Sequence, residues 1–380
     1  MSMLGDSDVL IIGGGVIGLS IARELHKRGV RRIAIVEKGV CGQESSWAAA
    51  GMLGPQAEAD EGGTFFDMTI ASRELYPDLA AELLDETGID VELDTSGTLY
   101  MAFNDDDVRH LRKRYEWQQN AGLEVELLSA DDARQAEPFA SPGVREALLF
   151  RNDWQIENRK LLHSLRRYAE LNGIEIFENT DARSLIIDQS TVTGIETPSG
   201  YLSAGTTILA TGAWTSLIKL GRSDIPVKVA PVRGQIIAYQ TAKRLFNHVI
   251  YSRRGYAVPR SDGRILVGST SERVGFDKST TDGAASSLRE VTREIAPSIA
   301  AMDIVDHWSG LRPFAADGRP ILGPIAGIDG LIMATAHYRN GILLAPITAR
   351  LIAEKITAGI DSPLFTAFGP DRFRFATTGA

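Results

Sequence analysis

A glycine-rich turn near the start of the chain constrains the fold more than any other feature. The turn, G-G-G-V-I-G at residues 13–18, follows an apolar run at 9–12 and precedes apolar residues at helical spacing. A second apolar run, at 33–36, ends at Glu37. Strand, glycine-rich turn, helix, strand and acidic residue in this order predict a βαβ unit that binds a dinucleotide.

Each part of this unit has its own physical role. Gly13 allows a sharp turn off the strand, Gly15 lets the backbone approach a pyrophosphate, and Gly18 lets the helix pack closely on the sheet. The N-terminus of the helix favours the negative charge of the phosphates. Glu37 can accept hydrogen bonds from the ribose hydroxyls and would repel a 2′-phosphate, which argues against NADP. The alternative is a glycine-rich turn that binds no ligand.

Composition excludes several classes of protein. The 380 residues suffice for two domains, and no apolar run approaches the roughly 18 residues of a membrane span. A net charge of −9 argues against general binding to nucleic acid or to anionic membranes. A single cysteine, Cys41, excludes intrachain disulfides and cysteine-rich metal sites. We expect a cytoplasmic protein without a metal ion.

Apolar periodicity predicts alternating strands and helices. The predicted strands are 9–13, 33–37, 93–103, 174–177, 184–187, 192–197, 206–211, 235–239, 255–259, 265–268 and 331–336. The predicted helices are 17–25, 64–87, 105–120, 161–171, with Asn158 as its N-cap, and 343–358. Signals of a nucleotide-binding domain stand at both ends and in the middle of the chain, so we expect a second domain inserted in two pieces.

Four further segments narrow the nucleotide to FAD and the substrate to an amino acid. In S-S-W-A-A-A-G-M-L (45–53), the hydroxyls can bind phosphate and the small residues admit a flat ring system. A-T-G-A-W (210–214) gives a second close approach of the backbone. H-W-S-G-L-R-P (307–313) supplies an arginine. In H-Y-R-N-G-I-L-L-A-P (337–346), Gly341 opens a helix whose N-terminus would stabilise the negative charge of a reduced flavin.

Together with Y-x-V-P at 256–259, these motifs resemble the glycine oxidase branch of the D-amino acid oxidase family of flavoenzymes, over residues 8–368. The resemblance implies an α/β (α+β) fold: a Rossmann-like FAD-binding domain with an inserted substrate domain on a mostly antiparallel sheet. The expected FAD-binding domain comprises 1–54, 146–220 and 306–370, and the expected substrate domain comprises 55–145 and 221–305. The implied reaction is oxidation of glycine, sarcosine and small D-amino acids to imines, with O₂ giving hydrogen peroxide. The imine of glycine would supply the thiazole ring of thiamine.

The resemblance also implies roles for individual residues. Arg312 would hold the substrate carboxylate in a bidentate pair, Tyr256 would donate its hydroxyl to that carboxylate, and Arg339 would lie at the same pocket. FAD, bound without a covalent link, would lie against residues of all four segments and of the first βαβ unit. These residues are Gly13, Gly15, Val16, Ile17, Gly18, Glu37, Lys38, Ser45, Ser46, Ala50, Gly51, Met52, Ala182, Gly212, His337, Tyr338, Asn340, Gly341, Ile342 and Leu343. Glycine oxidases are expected to carry a bulky apolar residue near Ser271, where this chain has serine.

Plainer interpretations stay open for several of these residues. Arg312 could form a structural ion pair, Arg339 could only shape its loop, and Tyr256 could be a packing residue. Ser45 and Ser46 could cap a helix. For His337 we favour a loop-shaping role over that of a catalytic base, and no paired carboxylates or His/Asp pair stand in these motifs. We therefore expect catalysis by orientation of the substrate.

Three other functions stay open, of which the first shares the same motifs and the third fits them less well, because the Gly341 helix and the segment at 45–51 suit a flavin. The first is a D-amino acid or sarcosine dehydrogenase that passes electrons to an acceptor other than oxygen. The second is a protein in which FAD has only a structural role, and the third is an NAD enzyme. By analogy with relatives we expect a homo-oligomer, a tetramer, that acts on a small-molecule substrate.

Overall fold

The computed structural model describes residues 3–373, which form two main sheets with helices packed around them. In chain order the strands are β1 (Met3–Ile12), β2 (Ile33–Val36), β3 (Met52–Leu53), β4 (Thr98–Ala102), β5 (Glu126–Ser129), β6 (Glu146–Phe150), β7 (Trp154–Gln155), β8 (Glu175–Phe177), β9 (Ser184–Asp188), β10 (Thr191–Thr197), β11 (Gly200–Leu209), β12 (Lys219–Leu220), β13 (Ser223–Asp224), β14 (Ala230–Gln240), β15 (Val249–Tyr251), β16 (Tyr256–Pro259), β17 (Arg264–Gly268), β18 (Asp306–Phe314), β19 (Ile321–Ile325) and β20 (Ile328–Thr335). The α-helices are α1 (Val16–Lys27), α2 (Ser45–Ala48), α3 (Pro55–Glu58), α4 (Thr64–Arg73), α5 (Tyr76–Thr87), α6 (Asp105–Asn120), α7 (Ala130–Ala136), α8 (Asn158–Leu171), α9 (Asp282–Ile295), α10 (Pro297–Ala300), α11 (Gly341–Ala358) and α12 (Pro363–Phe368). Short 3-10 helices cover Gly212–Leu217 and Pro370–Phe373.

Parallel strands form the centre of the larger sheet, in the order β8, β2, β1, β11, β20. The last residues of β1 are apolar and buried on both faces, as in sheets covered by helices on each side. Strands β9, β10, β12 and β13 extend this sheet with antiparallel and parallel pairs. Because the central strands run in the same direction, the turns after β1, β2, β11 and β20 meet at one edge, where α/β sheets bind ligands.

Helices α1, α8 and α11 cover one face of the larger sheet. Ile21 and Leu25 of α1, Leu165 of α8 and Ile352 of α11 belong to one buried apolar cluster with Ile11 of β1. The helical spacing of these residues produces an apolar stripe on each helix, which is what the sequence predicts. In the part of the chain that the structure describes, no helix is long and apolar enough to cross a membrane.

The second sheet has the order β18, β14, β17, β16, β15, β4, β6, β5 and is antiparallel except at the pair β15 and β4. Helix α9 packs on one face through Leu288 and Ile295. On the other face, Ile236, Tyr256 and Trp308 pack against residues 48–50 and thus meet the nucleotide-binding half. The mixed α/β fold with a mostly antiparallel second sheet is confirmed.

Strand pairing places three segments differently from the expected domain division. Strand β13 falls within the range 221–305 expected for the substrate domain, yet it pairs with β12 in the larger sheet. Strands β6 and β18 fall within the ranges assigned to the FAD-binding domain, yet both pair inside the second sheet. The local sequence does not reveal this, because the strands with which β6 and β18 pair lie elsewhere in the chain. We therefore keep the discontinuous two-domain division as a proposal, with 146–150 and 306–314 moved to the substrate domain and 223–224 moved to the FAD-binding domain.

Two predicted elements differ in extent. The helix predicted at 64–87 is divided into α4 and α5, because Pro77 has no N–H to continue the hydrogen bonds of α4 and its ring crowds the preceding turn. The strand predicted at 93–103 is shortened to β4. The Asp94 carboxylate accepts the N–H of Ser96 at 2.9 Å, and Gly97 has φ +101°, so the chain turns before the strand starts.

Asn158 is not the N-cap of α8. The cap is Glu157, whose carboxylate accepts the N–H of Arg159 at 3.1 Å. Asn158 instead lies in the first turn and points its amide at residues 46 and 47. The prediction was wrong because asparagine is a preferred N-cap residue and glutamate is not, and because a contact with a distant loop is not visible in the local sequence.

Candidate active site

A cleft of about 590 Å³ runs from the glycine-rich turn to the open face of the second sheet. It gathers residues that are far apart in sequence, because the turns of the parallel strands meet at this edge. The predicted site residues that line it are Gly13, Gly15, Val16, Ile17, Glu37, Lys38, Ser45, Ser46, Ala50, Gly51, Met52, Ala182, Gly212, Tyr256, Arg312, His337, Tyr338, Arg339, Asn340, Gly341 and Ile342. Of the predicted residues, Gly18 and Leu343 do not line it.

The glycine-rich turn leaves no room for side chains. A β-carbon at Gly13, which has φ +107°, would lie 2.4 Å from the carbonyl oxygen of Ala210. One at Gly18 would lie 1.9 Å from the carbonyl oxygen of Gly13, so Gly18 serves the packing of α1 on β1 rather than the cleft. Gly15 faces open space apart from the Ser46 hydroxyl at 3.3 Å. A pyrophosphate can therefore approach the backbone at Gly15.

Two polar side chains shape the nucleotide end of the cleft. The Glu37 carboxylate accepts the N–H of Gly14 at 2.8 Å and that of Gly39 at 2.9 Å, which fixes it at the end of β2. The Ser46 hydroxyl accepts the N–H of Val16, the first residue of α1, at 3.1 Å. Ser46 thus contacts a helix N-terminus and still has its proton to donate to a phosphate oxygen.

The residues present fit an elongated dinucleotide such as FAD. Helices α1 and α11 both begin at the cleft, and in neither does the side chain of the N-cap residue accept an N–H of the first turn. These two helix N-termini favour anionic groups at two separated places. Between them, the backbone at Ala50 and Gly51 lines the cleft without large side chains, as a flat ring system requires.

Arg312 is the cation at the far end of the cleft. Its guanidinium donates to the carbonyl oxygen of Thr270 at 3.0 Å and to the hydroxyl of Ser269 at 2.7 Å. Burial lowers the pKa of Arg312, although a guanidinium remains charged in proteins. Among residues 3–373 no carboxylate lies within 4 Å of it, which excludes the structural ion pair. The guanidinium lies directly over Gly234, where a β-carbon would be 2.1 Å from Nη1.

Tyr256 lines the cleft with its ring largely buried. The ring lies over Gly268, whose β-carbon would be 2.4 Å from the phenolic oxygen, and it is tilted against Tyr251 with ring centroids 6.2 Å apart. No hydrogen-bond partner for the Tyr256 hydroxyl occurs in the described part of the chain. The residue therefore packs in the core and also presents a free donor to the cleft.

Arg339 lines the same cleft but already has an acidic partner. Its guanidinium donates to the Glu58 carboxylate at 3.1 Å and to the Tyr251 hydroxyl at 3.2 Å. The Glu58 charge is the main reason why the pKa of Arg339 is raised. Sequence reasoning missed Glu58, Tyr251 and Ser269, because none of them stands in a motif that signals its position.

His337 shapes the loop before α11. Its Nε2 lies 3.0 Å from the hydroxyl of Thr348, and its carbonyl oxygen accepts the N–H of Asn340 at 2.9 Å. Complete burial lowers the pKa of His337 to about 3, so the ring is neutral at physiological pH. A group with so low a pKa is a poor general base, which agrees with the loop-shaping role.

Ser271 does not line the cleft, whereas Ser269 does. Leu343 is buried, and its carbonyl oxygen accepts the Ser72 hydroxyl at 2.6 Å, so it serves the packing of α11.

Comparisons with known proteins agree with this geometry. The family model described as FAD dependent oxidoreductase (DAO) matches residues 8–355. A glycine oxidase of Pseudomonas aeruginosa is 38% identical over 91% of this chain and 93% of its own length. A bifunctional protein ThiO/ThiG of a Synechocystis species is 35% identical over 98% of this chain, which spans 55% of that protein. The crystal structure of glycine oxidase from Geobacillus kaustophilus superposes with a TM-score of 0.91 at 33% identity, covering 97% of this chain and 99% of that one. The chain belongs to the DAO family of FAD dependent oxidoreductases.

Proposed function

We propose that this protein oxidises glycine, and also sarcosine and small D-amino acids, to the corresponding imines. The observation that carries the proposal is Arg312, a cation in the cleft that has no carboxylate partner in the described chain. A substrate carboxylate would provide the missing partner, in the bidentate geometry that guanidinium groups favour. The similarity to glycine oxidases supports the choice of substrate.

The chain's own residues would bind and orient the substrate. Arg312 would hold the carboxylate, and the free Tyr256 hydroxyl would donate a further hydrogen bond to it. The chemistry that bound FAD would supply is acceptance of a hydride from the α carbon of the substrate. The N-terminus of α11 would stabilise negative charge that develops beside it.

Acid–base groups are scarce at this end of the cleft. Glu58, which lines it, is already paired with Arg339, and the low pKa of His337 leaves that ring a poor base. The catalytic contribution of the protein is therefore orientation and charge stabilisation. We propose that Arg339 holds Glu58 and Tyr251 in place at the pocket. This role is similar to the alternative in which Arg339 only shapes its loop.

We further propose that FAD is bound without a covalent link. Cys41 lies behind the glycine-rich turn, where a β-carbon at Gly14 would be 2.3 Å from its sulfur. Burial raises the pKa of the Cys41 thiol to about 12, which makes it a poor nucleophile. Flavin that remained on the denatured protein would contradict this proposal.

The finer parts of the proposal rest on the resemblance. They are oxygen as electron acceptor, with hydrogen peroxide as product, a homotetramer, a cytoplasmic location, and supply of the glycine imine for the thiazole of thiamine. The match to a bifunctional ThiO/ThiG protein supports the last of these.

Anaerobic mixing of the purified yellow protein with glycine, sarcosine and D-alanine in turn tests the proposal. We expect glycine to bleach the flavin absorbance, and air to restore it. Bleaching without recovery in air would indicate a dehydrogenase that uses another acceptor. If none of the three amines bleached the flavin, the proposed substrate class would be wrong.

A further inference from the structure

Residues 45–52 are here called the cofactor loop, and donors from outside the loop bind its carbonyl groups at Ser46, Trp47, Ala48, Ala50 and Gly51. Asn158 Nδ2 donates to the carbonyl oxygens of Ser46 and Trp47 at 2.9 and 3.0 Å. Four further donors bind the loop: Arg159 Nε to Trp47 O at 3.5 Å, Trp308 Nε1 to Ala48 O at 3.1 Å, Arg260 Nη2 to Ala50 O at 2.9 Å, and the Ile156 N–H to Gly51 O at 2.8 Å.

The direction of these bonds has a consequence for the N–H groups. The Ala50 carbonyl that Arg260 binds shares its peptide group with the Gly51 N–H, and in a trans peptide these two groups point in opposite directions. Ala50 and Gly51 both line the cleft, and neither N–H has a partner among residues 3–373. A loop held in this way offers donors to a ligand without needing to rearrange, which lowers the entropy lost on binding.

Arg260 is the centre of this arrangement. It is 3% exposed, and its guanidinium donates to Ala50 O, to Ile156 O at 2.9 Å and to the Asn158 side chain at 3.1 Å. A β-carbon at Gly51 would lie 3.1 Å from Arg260 Nη2, so the guanidinium packs directly behind the loop. The planar fork therefore links the cofactor loop to the strand before α8 and to Asn158.

Asn158 is 1% exposed and connects the cofactor loop to Arg260. Its Nδ2 holds the start of the cofactor loop, while its Oδ1 accepts from Arg260. Neither Asn158 nor Arg260 lines the cleft, so neither touches a ligand there.

We propose that Asn158 and Arg260 are positioning residues for the cofactor: they fix the backbone of residues 45–52 so that the N–H groups of Ala50 and Gly51 are presented to FAD before FAD binds. The inference rests on the proposed placement of FAD along this loop. It predicts that both side chains contribute to FAD affinity without contacting FAD.

The test measures the FAD dissociation constant of the apoprotein by quenching of flavin fluorescence. The variants are Asn158→Ala and Arg260→Lys, each with a matched control. For Asn158→Ala the control is Asn172→Ala, because Asn172 closes the same helix and also donates to a backbone carbonyl, that of Tyr168, at 2.8 Å. For Arg260→Lys the control is Arg264→Lys, because Arg264 binds Glu157 and Asp262 but not the loop.

We expect each positioning variant to raise the FAD dissociation constant at least about tenfold, since each removes buried hydrogen bonds to the loop. Each should also alter the shape of the flavin absorption band in the reconstituted protein. The controls should stay within about twofold of the wild type. The unfolding temperature of each apoprotein is measured as well. If Asn158→Ala fails to fold, the FAD affinity of Arg260→Lys, which keeps the charge, tests the inference.

Equal FAD affinity in the positioning variants and their controls, with an unchanged absorption band, would overturn the inference. A loss of affinity that tracked only the fall in apoprotein unfolding temperature, in variants and controls alike, would overturn it too. Wild-type apoprotein that failed to bind FAD would instead refute the placement of the cofactor. Failure of the substrates to bleach the flavin concerns only the proposed reaction.

Discussion

The phenolic hydroxyl of Tyr76 donates a hydrogen bond to the carbonyl oxygen of Ile342, four residues before Pro346 in helix α11. Proline has no N–H, so this carbonyl lacks its usual partner within the helix. Ser72 gives the same support one residue later, by donating to the carbonyl oxygen of Leu343 at 2.6 Å. Both side chains are fully buried. Helices α4 and α5 thus stabilise the first turn of α11, which begins at the cleft.

Tyr76→Phe should lower the free energy of unfolding of the apoprotein by about 1–3 kcal/mol, because it leaves a buried carbonyl unpaired. In a Pro346→Ala background the cost should be smaller, since the alanine N–H can bond to Ile342. Urea unfolding of the wild type, Tyr76→Phe, Pro346→Ala and the double variant forms a double-mutant cycle, which measures how far the cost of losing the hydroxyl depends on the proline. The same cost in both backgrounds would show that the hydroxyl does not compensate for the proline.

Gly234→Ala should weaken substrate binding without removing the flavin. The β-carbon would occupy the position of the Arg312 guanidinium, which must then move away from Ser269 and Thr270. We expect kcat/KM for glycine to fall about 30- to 100-fold, the effect of losing hydrogen bonds to a charged group. Gly283→Ala is the matched control, because Gly283 lies in α9 with open space around it. An unchanged KM in Gly234→Ala would refute the role of Arg312.

Tyr256→Phe should raise KM for glycine about tenfold with little change in stability, because it removes only a hydroxyl that has no partner in the described chain. Tyr239→Phe is the control: Tyr239 is fully buried in the same sheet and its hydroxyl is also unpartnered. Steady-state kinetics of both variants checks this. If both changed KM equally, the Tyr256 hydroxyl would not be the cause.

His337 should make the apoprotein less stable in acid. Burial lowers its pKa in the folded protein to about 3, so the unfolded chain takes up the proton first as pH falls. The stability is therefore fully present above about pH 6.5 and is lost progressively between that pH and about pH 3, by a few kcal/mol at most. His337→Gln should be less sensitive to pH over this window in urea unfolding. The control His163→Gln changes an exposed histidine of α8 and should behave like the wild type.

The same histidine bears on the pH dependence of the reaction. With its pKa at about 3, His337 should not produce an ionisation near neutral pH in kcat. A limb in the kcat profile near pH 6–7 that His337→Gln removed would contradict the neutral, loop-shaping role.

The first βαβ unit could be predicted almost completely from the sequence. Gly13, Gly18 and Glu37 each have a local reason for their identity: a positive φ, a close helix–strand contact, and hydrogen bonds to nearby N–H groups. Helices α6 and α11 were also predicted closely, because apolar periodicity over many residues leaves few alternatives. The limits of other elements were less certain, and Pro77 and Gly97 moved two of them.

The sequence by itself determined the nucleotide-binding unit, the alternation of elements and the motif that carries Arg312, because these depend on local backbone conformation and on spacing along the chain. Tertiary structure decided the partners: which sheet holds β6 and β18, why Arg339 pairs with Glu58, and what Asn158 binds. Arg339 lies 281 positions from Glu58 and 88 positions from Tyr251 along the chain. Asn158 lies 112 positions from Ser46. No local pattern encodes such pairs, because they follow from how the sheets and helices pack together.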